Sequence, residues 1–275
     1  IIPLSTEGLD ADALLLRMRA LGRTDLSNKP LPARETFDSL IPKILPRPPT
    51  KNFLVTELDE IDRIVEECRK AKLCVFDLET SGLDIHANHV VSAQITCKRG
   101  MGYYIPIAHI GYEHNVDRVE VLTRIHSLLK DPNVITVAHN IKFDYQWFVK
   151  EGLLEINNVW DTMVAAHVIN ENRPAYNLKF LTKDILRKAM ITFKSLGIYT
   201  GPGDCPEGLY PHFGHLPLEE ALPYACADVD MTLRLYLQFR PIIDAQFKLI
   251  FYEVEMPLRA VLARMEYEGV ELDVG

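Results

Sequence analysis

The spacing of apolar residues changes character along the chain and divides it into elements. From Thr56 to Ala71, Leu58, Ile61, Ile64 and Val65 recur at helical intervals, which predicts an amphipathic helix. Lys72–Glu79 is a short apolar run fit for a buried strand. His89–Lys98 and Met101–Ala108 are two further runs rich in Val, Ile and Tyr, joined at Arg99-Gly100 as a hairpin. Asp117 is placed to cap a helix reaching Lys130, with Val121, Leu122, Ile125, Leu128 and Leu129 on its apolar side. Asp131-Pro132-Asn133 breaks it, Val134–Ala138 supplies a strand, and Lys142–Lys150 a helix ended near Gly152. Beyond that point helical spacing dominates, over Asp161–Asn170, Asn177–Ala189 and Leu218–Phe239. Strands first and helices later, with one hairpin, predict an α/β protein: a mixed sheet flanked by helices.

The two ends and one internal segment depart from this texture. Asp10–Arg23 reads as a short helix through Leu14, Leu15, Met18 and Leu21. Lys29–Lys51 carries Pro30, Pro32, Pro42, Pro46, Pro48 and Pro49, a density that forbids regular helix and favours an extended connector. Residues 1–50 are therefore expected to be a linker or the tail of a preceding domain, and an opening Ile1 in place of Met suggests a fragment or a processed product. Gly197–Pro217 is a long loop rich in glycine and proline, of a length that usually carries function or motion.

Composition narrows the class. In 275 residues the net charge is −8, which argues against coating nucleic acid through bulk positive charge but leaves room for local binding assisted by metal ions. No stretch approaches eighteen uninterrupted apolar residues, so no membrane-spanning helix is expected. The five cysteines (Cys68, Cys74, Cys97, Cys205 and Cys226) are odd in number and form no C-x-x-C pair, which points to a reducing compartment.

The candidate chemistry lies in carboxylates. Asp77 and Glu79 are two apart on a strand and emerge on one side of it. Burying two like charges invites a divalent cation; a solvated strand end is an equal reading of these two alone. Asp144, in Asn140-Ile-Lys-Phe-Asp144, falls in the first turn of a helix, where the dipole favours a carboxylate in any case. Tyr224 and Asp228, at i and i+4, share one helix face, a pairing that also arises by chance. Taken jointly, four acids dispersed in sequence but each at an element end, with no His or Cys cluster nearby, select hard ions such as magnesium or manganese. Two such ions can activate a water, hold a phosphodiester and stabilise its leaving oxygen.

Phe76-Asp-Leu-Glu-Thr-Ser-Gly-Leu-Asp84, Asn140-Ile-Lys-Phe-Asp144 and Tyr224-Ala-Cys-Ala-Asp228 resemble, in order and spacing, the three exonuclease motifs of the 3′–5′ proofreading domain of DNA polymerase I (family A) enzymes. Tyr104-Ile-Pro-Ile-Ala-His109 and Trp160-Asp-Thr-Met163 match as well. The resemblance covers residues 52–240, and Glu253–Asp273 looks like the passage from such a domain into a polymerase thumb. It implies a ribonuclease H-like fold, an exonuclease domain over 51–240 and the start of a thumb over 241–275. It also implies an intracellular protein acting with DNA, in a cytoplasm or nucleoid, with a phage or organelle origin open. Asp77, Glu79 and Asp228 would bind a first metal, while Asp77 and Asp144 serve a second. Tyr224 would orient the attacking water. Leu83 would wedge against the terminal base, Asn140 approach the terminal phosphate, Phe193 stack on a base, and Phe143 belong to the substrate-binding set. The implied cofactors are two Mg²⁺ ions, or Mn²⁺, and the implied partners are single-stranded or frayed 3′ DNA ends and a polymerase domain in the same parent chain.

Other features have plainer readings beside functional ones. Lys179, Lys183 and Arg187 would form a basic stripe on one helix, either a DNA-backbone contact or, more commonly, a solvated face. Asp161 reads as an N-cap, His109 and His139 as structural or substrate-edge residues, Trp147 and Phe148 as core, and Cys226 as packing. His212 and His215 lack a partner set for metal. Two rivals stay open: a free-standing RNA-trimming exonuclease of the ribonuclease D type, and a silent architectural domain of a polymerase.

Overall fold

The computed structural model describes residues 49–201 and 203–271, so the helix expected at Asp10–Arg23 and nearly all of the proline-rich connector lie outside the described residues. The strands are β1 (Lys51–Leu54), β2 (Leu73–Thr80), β3 (Val90–Thr96), β4 (Met101–Pro106), β5 (Ile135–Ala138) and β6 (Val159–Asp161). They form one mixed sheet in the order β1-β4-β3-β2-β5-β6. The middle, β2-β3-β4, is antiparallel; β1 joins β4, β5 joins β2 and β6 joins β5 in parallel. The helices are α1 (Leu58–Ala71), α2 (Arg118–Leu129), α3 (Ile141–Lys150), α4 (Thr162–Ile169), α5 (Leu178–Ile185), α6 (Leu218–Ile242) and α7 (Met256–Glu268).

The expected elements stand where the periodicity put them, with boundaries shifted by up to four residues in either direction. The Asp117 side chain accepts the Glu120 N–H at 3.0 Å, and that of Asp161 accepts from Met163 and Val164, so both act as N-caps. Two strands went unread. β1 and β6, at four and three residues, are too short to show a period, and β1 follows directly on the proline-rich stretch.

Alternation along β2 builds two layers. Cys74, Phe76 and Leu78 face a core shared with α1, α2 and α3, where Phe76 meets Phe148 edge to face at 5.8 Å. Val75, on the opposite face, joins a second core with α4, α5 and α6. Asp77 and Glu79 fall on that second face by the same two-residue period. The long α6 crosses the sheet there, packing on β4, β2 and β3. Its approach is close. A Cβ on Gly102 of β4 would lie 2.6 Å from Cys226 Cβ and 2.8 Å from the Cys226 backbone. Gly102→Ala is therefore expected to lower stability by about 1–3 kcal/mol, read as a drop in urea midpoint. It should reduce activity too, because Cys226 lies midway between Tyr224 and Asp228.

After α6 the chain runs through two π-helical turns, Ile243–Phe247 and Ile250–Glu255, into α7, which returns against α3. Trp160 packs on both Tyr236 and Phe251 at 4.9 Å, and Gln146 Nε2 donates to Glu266 at 2.9 Å. No helix among the described residues is long and apolar enough to cross a membrane.

Candidate active site

The site forms where β2 ends, α3 begins and α6 passes over. Asp77, Glu79 and Asp228 each offer a carboxylate oxygen within 4.8 Å of the others. Asp144 reaches the same place from the first turn of α3, where its Oδ1 accepts the Leu78 N–H at 3.3 Å. Tyr224 stands one helical turn before Asp228. All five line a cleft of about 440 Å³, together with Leu83, Phe143 and Phe193.

Local structure explains the placements. β2 shifts register between Glu79 and Thr80, and the chain turns through Ser81-Gly82 into a loop tied by Ser81 N–H to His89 O and by the Asp84 carboxylate accepting from His86 and Ala87. A Cβ on Gly82 would sit 2.6 Å from Asn88 Oδ1, so a larger residue there would have to push the Asn88 amide aside. That loop holds Leu83 at the mouth of the cleft, 86% exposed. An apolar side chain kept in water at a cleft mouth has no role in the core. Phe193 is also exposed, with its ring 5.4 Å from Tyr224 and 6.2 Å from Phe213. From the described part of the Gly197–Pro217 loop, Ile198 and Tyr210 are bridged, and Ile198, Tyr199 and His212 line the cleft. Its far end is pinned by His109, whose Nε2 donates to Leu216 O at 2.6 Å while Nδ1 pairs with Tyr104 OH at 3.1 Å.

Asp161 has a larger part than a cap. Besides its two α4 amides, its carboxylate accepts the N–H groups of Asn140 and Ile141, at 3.1 and 3.0 Å. Asn140 adopts the left-handed conformation (φ 69°), so Asp161 stabilises the strained entry to α3 and thereby the position of Asp144. The Asn140 side chain is not among those lining the cleft; the adjacent His139 is, with Nδ1 2.8 Å from Thr162 Oγ1 and burial holding its pKa down to about 3.

The basic stripe needs correction. The helix ends at Ile185, not Ala189; Arg187 turns left-handed (φ 53°) and Lys188 N–H closes back on Thr182 O at 3.2 Å. Arg187 thus leaves the helix axis, Lys183 remains exposed, and Lys179 turns inward. The Lys179 ammonium pairs with both oxygens of Asp228 and lies 4.2 Å from the centre of the Tyr224 ring. Its single charge made either face of a short helix readable, and only packing chose. His212 and His215 have their rings 4.2 Å apart, with His212 Nδ1 accepting from Gly214 N–H. The metal-type cluster among the described residues is the acidic one.

Charge crowding dominates the electrostatics. Burial, then the neighbouring Asp228, pushes Asp77 up to about 7, against the opposing pull of Lys179. Glu79 is raised well above the usual range by burial and then by Asp77 and Asp228, and Asp144 by burial and then Asp77. Burial also raises Asp228, with Lys179 working against it. Three mutually repelling carboxylates facing one ammonium fit a hard divalent cation, which would supply the missing charge through the oxygen donors it prefers. The Tyr224 hydroxyl is raised by burial and by the acids, so it stays a neutral phenol.

A pH dependence follows from Asp77. Its folded-state pKa of about 7 lies above the ordinary value of 3.8. The folded state therefore holds the extra proton, and the stability this contributes is present below about pH 4 and lost as pH rises through 7. In EDTA the melting temperature is expected to fall between pH 5 and 8, and Mg²⁺ should raise it more at pH 8 than at pH 5. Asp77→Asn should flatten both trends in the same melts.

Residues 52–244 match the family described as 3′–5′ exonuclease, the exonuclease domain of family A DNA polymerases. The chain belongs to that family. This exonuclease is 30% identical over 220 residues to DNA polymerase I of Borreliella burgdorferi, covering 80% of the chain and 23% of that protein. It is 27% identical over 268 residues to the Pseudomonas aeruginosa enzyme, covering 95% and 27%. The chain thus spans about a quarter of the length of these relatives. Among solved structures it resembles NrnC of Brucella melitensis bound to pGG, with TM-score 0.56, 19% identity, and 82% of this chain and 98% of that one covered. A further NrnC structure holds bound Mg²⁺ (TM-score 0.51, 18% identity, 80% and 94% covered). Ribonuclease D of Escherichia coli gives TM-score 0.54 at 15% identity, covering 81% and 52%. These likenesses establish a ribonuclease H-like exonuclease fold.

Proposed function

We propose that this exonuclease hydrolyses the 3′-terminal phosphodiester of single-stranded or frayed DNA, releasing nucleoside monophosphates, as the proofreading part of a family A DNA polymerase. The observation that carries the reading is the set of Asp77, Glu79 and Asp228 carboxylates within 4.8 Å of one another, in a cleft shared with Asp144 and Tyr224. Asp77, Glu79 and Asp228 would hold one Mg²⁺ or Mn²⁺, and Asp77 with Asp144 a second. When bound, the ions supply the positive charge that activates a water, neutralises the scissile phosphate and stabilises the leaving 3′-oxygen.

The chain's own side chains do the rest. Tyr224, kept as a phenol, can accept from the attacking water or donate to it, and orients it without being a base. Leu83 wedges under the terminal base at the mouth of the cleft, and Phe193 and Phe143 give apolar surface for the sugar and base. Such contacts tolerate any base, as editing requires. Asn140, whose own N–H is held by Asp161, would approach the terminal phosphate through its side-chain amide. In the parent polymerase, residues 51–240 would form the exonuclease domain and 241–275 the start of the thumb, with residues 1–50 linking to what precedes. The DNA polymerase I relatives favour DNA over the RNA-trimming alternative.

The test is a substrate comparison with Mg²⁺: 5′-labelled single-stranded DNA, a duplex with a mismatched 3′ end, a matched duplex and single-stranded RNA. Single-stranded and mismatched DNA should be shortened faster than matched duplex, with nucleoside 5′-monophosphates as products. Faster digestion of RNA than of DNA would overturn the reading in favour of the ribonuclease D type.

A further inference from the structure

Lys179 reaches the acidic cluster from outside all three motifs. It is the second residue of α5, whose start is set by Asn177 accepting the Phe180 N–H at 2.9 Å and whose apolar face is sunk through Leu178, Leu181 and Ile185. The base of the side chain is thus fixed, and only its four-carbon stem can move. At the tip, the ammonium takes both oxygens of Asp228 and covers the Tyr224 ring. Those are two of the groups the reaction needs. A divalent ion seated on Asp77, Glu79 and Asp228 must share Asp228 with this ammonium or displace it, and two cations at one carboxylate repel.

There is a place for the ammonium to go. The Lys179 side chain already borders a groove of about 740 Å³ that adjoins the cleft, shares Phe193, Tyr199, Thr200 and Tyr224 with it, and is lined further by Lys194. It combines two ammonium groups with aromatic faces, the pairing that suits a nucleic-acid strand. Lysine fits such a double role better than arginine would: it is a compact charge on a flexible stem, not a rigid fork.

We propose that Lys179 is a tethered counter-cation of the carboxylate site: it neutralises Asp228 while no divalent ion is bound, and on ion binding swings into the adjoining groove to face a phosphate of the substrate strand. The inference rests on the metal-binding reading of the acids. It assigns Lys179 a positioning role, coupling ion binding to strand binding.

The experiment is calorimetric titration of Mn²⁺ into the whole chain, comparing wild type with Lys179→Met. If the ammonium holds Asp228 about 90% of the time, its removal tightens Mn²⁺ binding about tenfold. The variant should also melt lower than wild type in EDTA and gain more from Mn²⁺. Lys179→Arg keeps the charge and should stay closer to wild type in the titration. With Ca²⁺ in place of Mg²⁺, binding of a short single-stranded DNA should lose about 0.7 from its log–log salt slope in Lys179→Met. If Lys179→Met proves unfolded without metal, Lys179→Gln, which retains a hydrogen bond to Asp228, is titrated instead with the same expectation. Mn²⁺ binding equal to or weaker than that of wild type overturns the counter-cation role and leaves the metal site standing. A wild type that takes up no Mn²⁺ overturns both.

Discussion

Asp77→Ala is expected to abolish Mg²⁺-dependent release of mononucleotides, with a rate loss on the order of 10⁴-fold, equivalent to several kcal/mol of lost transition-state charge stabilisation. The size of the effect follows from position. Asp77 clusters with Glu79 and Asp228 and also acts on Asp144, and is the carboxylate both proposed ion sites would use. Its loss should not unfold the protein. In the metal-free state Asp77 is a half-buried acid raised by desolvation and by Asp228, so a methyl group relieves repulsion there. Thermal melts in EDTA should show the variant at or above wild type at pH 8. Activity lost with stability kept identifies a chemical role. A silent wild type, equal to the variant, would mark the domain as architecture only.

Asp230→Ala should do the reverse, although the residue lies two positions from Asp228. The Asp230 side chain is fully buried, beneath the sheet edge where β1 and β4 meet. It accepts the Gly100 N–H at 2.8 Å, the Thr50 hydroxyl at 2.6 Å and the Arg234 guanidinium at 2.9 and 3.1 Å. Removing it strips the carboxylate from a buried guanidinium and takes the acceptor from two further donors, at a cost of about 3–5 kcal/mol. Chemical denaturation should show that loss, with mononucleotide release per folded molecule remaining within a few-fold of wild type because no cleft residue is touched. A destabilisation below about 1 kcal/mol would mean that Arg234 and the hairpin find other partners at little cost.

The contrast between Asp228 and Asp230 shows how far a sequence reading reaches. Both sit on the helix expected over Leu218–Phe239, and only the match of Tyr224-Ala-Cys-Ala-Asp228 to a motif separated them. Local geometry was legible where one element carried the whole signal. Asp77 and Glu79 share a face because strand alternation is two; Tyr224 and Asp228 share one because they are a helical turn apart; Asp117 and Asp161 cap because their side chains reach amides two or three residues on. Where two elements had to meet, no periodicity spoke, and only the motif resemblance implied that Asp77, Glu79, Asp144 and Asp228 converge. Lys179 looked like part of a surface stripe with Lys183 and Arg187, because helical spacing does not say where a helix stops or which side is covered. β1 and β6 were too short to announce themselves. The four amides gathered by Asp161 include two from twenty residues earlier, beyond any local pattern.

The sequence by itself thus determined the element types, the acids that share a face within each element, and, through three ordered motifs, the family. Those properties depend on backbone periods and short-range hydrogen bonds, which are written in consecutive residues. The tertiary structure brought the implied set of Asp77, Glu79 and Asp228 within 4.8 Å, and it alone decided that Lys179 answers their charge and that Asp230 serves the fold instead of the cleft. Such pairings depend on how α6 and α5 pack across the sheet, a matter of shape and burial summed over the chain, to which no single stretch of residues holds the key.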